Sequence, residues 1–126
     1  MNFEYIHTKK APAAVGPYSA GVKAGNLVFV SGQMPIDPAT GTVVPGDAAA
    51  KATRCMKNVL AILAESGLGV DNIVKTTIFL KDMNDFGLVN EAYASFFKES
   101  YPARSCVEVS RLPKDVDVEI EAIAVS

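Results

Sequence analysis

The chain has 126 residues, 49% of them hydrophobic, and a formal net charge of −2. That length suits one domain able to bury about two thirds of its unfolded surface, and the apolar share excludes a disordered chain. The slight negative charge and the lack of any lysine- and arginine-rich run argue against general affinity for nucleic acid or an anionic membrane.

Phe3 to His7 reads as a first strand. Pro12, Gly16 and Pro17 turn Ala11 to Pro17 into a loop. Tyr18 to Lys23 and Leu27 to Gln33 read as two strands joined at Ala24-Gly25-Asn26, a hairpin signal. Leu27-Val28-Phe29-Val30 is apolar on both faces, which predicts a central position in a sheet. Three prolines and Gly41 make Pro35 to Pro45 an exposed loop.

Asp47 suits the cap of a helix in which Ala52, Met56, Val59, Leu60 and Leu63 recur on one face. Cys55 falls within it as a small buried hydrophobe, and Gly67 and Gly69 end it. Val70 leads into a strand whose core face is Val74, Thr76, Ile78 and Leu80; Ile73, Lys75, Thr77, Phe79 and Lys81 form the more polar face. A second helix is expected from about Asn84 to Ser100, burying Val89, Ala92, Tyr93, Phe96 and Phe97, with Pro102 preventing its continuation. Ala103 to Val109 reads as a strand. A loop at Leu112-Pro113-Lys114 leads to a last strand with Val116, Val118, Ile120, Ala122 and Ala124 on one face and Asp117, Glu119, Glu121, Ile123 and Val125 on the other.

The expected order is β-β-β-α-β-α-β-β, with crossover connections that are right-handed almost always. Two amphipathic helices cover one face of such a mixed sheet. The other face is then expected to carry Arg104, Cys106, Glu119, Glu121, Ile123 and Val125, too apolar to remain wet. A symmetric oligomer that packs those faces together resolves the conflict.

Four patches carry candidate chemistry. Arg104 and Cys106 share one face of their strand, while Ala103, Ser105, Val107 and Val109 share the other. A guanidinium held between small residues is a rigid fork that grips a carboxylate with two parallel hydrogen bonds, or else pairs with one of the chain's own acids. Glu119, flanked by Asp117 and Glu121, reads either as part of a solvated acidic face or as a carboxylate that positions a water, made more basic by like charges. Tyr18, behind Gly16 and Pro17, serves interface packing or a site. Ser31-Gly32-Gln33 ends a buried strand, as a bulge or as a place where a ligand approaches the backbone. Cys106 lacks a base to make it a nucleophile, since the only histidine, His7, lies on another strand. His7 has no second ligand in pattern and the two cysteines form no CxxC pair, so no metal site is expected. No apolar run is long enough to span a bilayer, and Met1 to Lys10 holds no signal-like apolar stretch; the expected location is the cytoplasm.

These residues together resemble the Rid (YjgF) family, in its RidA branch of 2-iminobutanoate/2-iminopropanoate deaminases. The resemblance runs through Ala11 to Ser19, Val30-Ser31-Gly32-Gln33, Asp71 to Thr77, Asp85-Phe86 to Asn90, Tyr101 to Val109, and Leu112-Pro113-Lys114-Asp115 through Glu119-Ile120-Glu121-Ala122. It implies an α/β (α+β) chorismate-mutase-like fold, a homotrimer whose sheets face inward as a barrel, and sites in clefts between subunits. It implies hydrolysis of small 2-imino acids, released by pyridoxal-phosphate enzymes, to 2-oxo acids and ammonia, without metal or organic cofactor. Arg104 would clamp the substrate carboxylate and Glu119 would orient the attacking water. Backbone groups at Cys106 would help hold imine or water, its thiol taking no part, and Tyr18, Ser31, Gly32 and Asn90 would line the pocket. The competing reading is a ligand-binding or chaperone-like protein on the same fold. Ribonuclease activity, also described among such relatives, is the weaker option for a chain without a basic stripe.

Overall fold

The structure is a computed structural model that describes residues 2–126. Its elements are β1 (Phe3–Ile6), β2 (Gly21–Ala24), β3 (Leu27–Gln33), β4 (Ile36–Asp37), β5 (Thr42–Val43), α1 (Ala48–Ala64), β6 (Ile73–Leu80), α2 (Phe86–Ala94), β7 (Ala103–Glu108) and β8 (Val118–Val125). Six strands form one sheet in the order β1-β2-β3-β8-β6-β7, and β4 and β5 make a small separate hairpin. Only the β6–β7 pair within the sheet is parallel. The α+β architecture, with both helices on one face of a mixed sheet, is the one expected.

The helices stay on one face because both are crossovers. α1 packs over β3 and β8 and against α2. Its start is fixed by Asp47, whose carboxylate accepts from the amide of Ala50 at 3.0 Å. Its end is a glycine motif: Gly67 takes φ 71°, and Leu68 N–H reaches the Leu63 carbonyl at 3.1 Å. The core lies between the sheet and this layer. Val28 and Val30 of β3, Ile78 and Leu80 of β6, and Val118, Ile120 and Ala124 of β8 meet Met56, Val59, Ile62 and Leu63 of α1 there. No helix among the described residues is long and apolar enough to cross a membrane.

Several expected boundaries move. β1 stops at Ile6, and Tyr18 precedes β2 in a bend rather than starting a strand. Val70 opens a short 3-10 turn, and β6 begins after it. A register shift between Ile73 and Lys75 turns Ile73 into the core and leaves Val74 exposed. α2 ends at Ala94, six residues earlier than the expected Ser100. The hydroxyl of Ser95 takes the Ala92 carbonyl at 2.6 Å, and the following amides reach only three residues back. β8 starts at Val118 rather than Val116.

Pro35 to Pro45 is not simply an exposed loop. Pro35 and Ile36 are buried, and β4 and β5 form a hairpin there. Fully buried Asn58 of α1 holds this segment down, donating through its side-chain amide to the carbonyls of Met34 and Ile36 at 3.1 and 3.0 Å. Asn58→Ala removes both donors and leaves the carbonyls unsatisfied. Urea unfolding should register a loss of about 1–3 kcal/mol; an unchanged midpoint would show that the hairpin is held otherwise.

Candidate active site

β7 sits at the edge of the sheet, and its register with β6 decides which way its side chains point. Arg104 is the partner of Thr76, and Cys106 of Ile78. Thr76 and Ile78 are buried toward the helices. Arg104 and Cys106 therefore lie on the helix-covered side, and Ala103, Ser105 and Val107 are exposed on the open one. This corrects the expectation that Arg104 and Cys106 share the open face with Glu119, Glu121, Ile123 and Val125. Alternation defines two faces of a strand, but pairing with β6 selects the covered one.

On that side α2 builds a collar around the guanidinium. Phe86, Asn90 and Tyr93 fall at helical spacing on one stripe. Asn90 Oδ1 accepts a hydrogen bond from Arg104 Nη1 at 2.7 Å. The Tyr93 and Phe86 ring centroids lie 5.2 and 5.6 Å from Arg104 Cζ, within cation–π range. Among the described residues the remaining guanidinium donors have no side-chain or backbone partner, and Arg104 makes no ion pair. Of the two readings of this arginine, the internal ion pair is thereby removed. A cleft of about 350 Å³ opens beside it, lined by Asn90, Tyr93, Ala94, Tyr101, Pro102 and Arg104.

The thiol of Cys106 is half-buried against the core. Burial pushes its pKa up, against a smaller downward pull from Arg104. A thiol so placed stays protonated near neutrality and is a poor nucleophile.

Glu119 lies on the opposite face of the sheet from Arg104, because its neighbours Val118 and Ile120 point into the core. Beside it β3 bulges: Val30 pairs with Ala122 and Gln33 with Ile120, so β3 holds one residue more than β8. The bulge brings Gly32 so close that a methyl group there would lie 2.8 Å from Glu119 Cδ. Only glycine leaves the carboxylate where it is. Burial first, and the like charge of Glu121 second, raise the Glu119 pKa. Ser31 donates to the Ser19 carbonyl at 2.6 Å, tying the bulge to the segment that carries Tyr18. A second cleft, of about 220 Å³, is lined by Tyr18 and Gly32 together with Pro12, Gln33, Ile36 and Lys114.

The expected site residues thus form two groups in one chain. Arg104, Cys106 and Asn90 gather at the β7–α2 edge; Tyr18, Ser31, Gly32 and Glu119 gather around the β3 bulge. From the sequence alone, none of Phe86, Tyr93 and Tyr101 at the first group, nor Lys114 at the second, falls in a site, and Tyr93 reads as core alone. The spacing of Phe86 and Tyr93 about Asn90 was a legible signal for the first two.

Residues 8–126 match the family model described as Endoribonuclease L-PSP. The 2-iminobutanoate/2-iminopropanoate deaminase of Escherichia coli K12 is 58% identical over 123 residues, 95% of each chain. The crystal structure of the E. coli YjgF gene product gives a TM-score of 0.93 at 56% identity, covering 97% of this chain and 98% of that one. The chain belongs to the Rid (YjgF) family. E. coli TdcF, crystallised with bound serine, matches this Rid chain with a TM-score of 0.93 at 51% identity over 98% of each chain.

A raised carboxyl pKa has a consequence for the stability of this Rid protein. Folding favours the protonated form of Glu119. That contribution is full below the unfolded value of about 4.3 and is lost as pH rises through the higher folded value. Glu119→Gln, which stays neutral, should be more stable than the native chain at neutral pH, with the gap closing on acidification. Urea midpoints at both ends of the range measure it; a gap that is absent or widens in acid contradicts the burial of this carboxylate.

Proposed function

We propose that the chain hydrolyses 2-iminobutanoate and 2-iminopropanoate to the corresponding 2-oxo acids and ammonia, as a cytoplasmic homotrimer using no metal or organic cofactor. The observation that carries this reading is Arg104, a guanidinium free of acidic partners among the described residues and bordering a cleft fit for a small organic anion. The 58% identity with the E. coli deaminase supports the reaction. Serine bound to TdcF supports a small carboxylate ligand. Two free cysteines agree with a reducing compartment.

In this reading Arg104 holds the substrate carboxylate with the donors that Asn90 leaves free. Glu119 orients a water and accepts its proton as the oxygen bonds to C2 of the imine. The C=N π pair moves to nitrogen. With the imine entering protonated, this gives a neutral carbinolamine. Glu119 passes its proton to the nitrogen, ammonia leaves as the C=O bond forms, and the hydroxyl proton returns to Glu119 and then to solvent, so one water enters and one ammonia and one proton leave. The pKa of Glu119, raised by burial and by Glu121, brings it nearer the working pH of a general base. As an edge strand β7 has backbone groups without ladder partners, which suits a role for the main chain at Cys106 in holding imine or water.

Arg104 and Glu119 stand on opposite faces of their own sheet, and a shared site needs two copies. The trimer supplies them: the Tyr18, Ser31, Gly32 and Glu119 group of one copy completes the Arg104 cleft of the next. The partly exposed apolar side chains of the open face, Leu27, Phe29 and Val107 among them, suit burial between subunits. Light scattering should return three times the 13.3 kDa chain mass; a monomer at working concentration defeats the shared site.

Coupled to a threonine dehydratase, the native chain should hasten decay of the imine signal. Arg104→Ala should lose most of that activity, and Glu119→Gln should slow turnover by about 10²-fold or more while 2-oxobutanoate still binds. Unchanged imine decay beside tight 2-oxo acid binding would favour the binding-module reading instead.

A further inference from the structure

Thr76 and Arg104 are register partners on β6 and β7, and both side chains leave the sheet toward α2. Tyr93 comes down from α2 onto the pair. Its hydroxyl is 2.7 Å from Thr76 Oγ1 and its ring centroid 5.2 Å from Arg104 Cζ. Thr76 and Tyr93 are 1% and 3% exposed, whereas Phe86 on the guanidinium's flank is 37% exposed. A phenylalanine and a valine would fill the same volume in this core without any polar atom to satisfy. The hydroxyl pair instead fixes the height and tilt of the ring on which the guanidinium rests, since a buried hydrogen bond admits a narrow geometry.

We propose that Tyr93, pinned by Thr76, is the positioning residue for Arg104, so that the grip on a substrate carboxylate depends on a hydroxyl pair buried beneath it. This rests on the reading of Arg104 as the carboxylate anchor. Tyr93 also lines the cleft, and its part here is to remove freedom from the guanidinium before the ligand arrives, as preorganised sites do. Asn90 works at the rim in the same sense, taking one guanidinium donor and turning the others toward the cleft.

The test uses Tyr93→Phe, Thr76→Val and the double variant in the full chain. The readouts are the Kd of 2-oxobutanoate by calorimetry and kcat and KM in the coupled imine assay. Each single variant should weaken Kd and raise KM by about 3–10-fold, the range a lost hydrogen bond gives, with kcat within about twofold. The double variant should be no weaker than either single, because both remove the same contact. It should also regain thermal stability, since no hydroxyl is left unpaired, while Kd stays weak. Kd unchanged in both singles, a fall in kcat alone, or a Kd that recovers along with stability overturns the proposal. Arg104→Ala separates the two layers. If it still binds 2-oxobutanoate as the native chain does, the anchor reading itself fails. If it loses binding while the hydroxyl variants bind normally, only the positioning role falls.

Discussion

The parallel pairing of β6 with β7 is the constraint on which the candidate site depends. A slip of one residue would carry Arg104 to the open face and put Ala103 or Ser105 under α2. Three contacts hold the register. Cys106 packs into the core, Val109 N–H reaches the Leu80 carbonyl at 2.9 Å, and the Glu108 carboxylate accepts from the amide of Met83 at 2.8 Å. The last of these ties the end of β7 to the 3-10 turn that starts the α2 crossover. The strand that bears the arginine and the helix that surrounds it are thus fixed to each other at both ends of the crossover, by the fold and by a side chain.

That register also separates charge. β6 lies between the strand of Arg104 and the strand of Glu119, and the two side chains leave the sheet on opposite faces, so they cannot pair within one chain. Here the thickness of the sheet stands between Arg104 and Glu119. The arginine keeps open donors for an external anion, and burial and the like charge of Glu121 keep the pKa of the acid raised. In the proposed trimer the two meet only across an interface and around a ligand whose own carboxylate takes up the positive charge.

Much of this was legible in the residues. Asp47 and Gly67 mark the first helix, alternation marks β6 and β8, and Arg104 and Glu119 stand out by their settings. The face of Arg104 was not legible, because period-two alternation says which residues go together and leaves open which set is covered. Val74 traded places with Ile73 for a similar reason: a bulge inserts a phase change that composition does not announce. The hairpin at Ile36–Asp37 and Thr42–Val43 was hidden by prolines and depends on Asn58, which lies 22 positions beyond the Ile36 carbonyl it holds. Tyr93 was assigned correctly to the core, yet its position at the seam between core and cleft needed the distances to Thr76 and Arg104.

The chemistry proposed for this site asks for positioning more than for power. An imine hydrolyses in water unaided, and holding a water and an imine in register can contribute up to about 7–11 kcal/mol on its own. A covalent route through Cys106 would need a thiolate. Burial raises that thiol by more than Arg104 lowers it, and the only histidine of the chain lies at position 7, on the far side of the sheet order from β7. Glu119 needs no such activation: burial and Glu121 raise its pKa, and Gly32 gives its carboxylate room. In the proposed reaction, an anchored carboxylate, an aimed water and a base of raised pKa supply what each step asks for, and no step calls on a metal or an organic group.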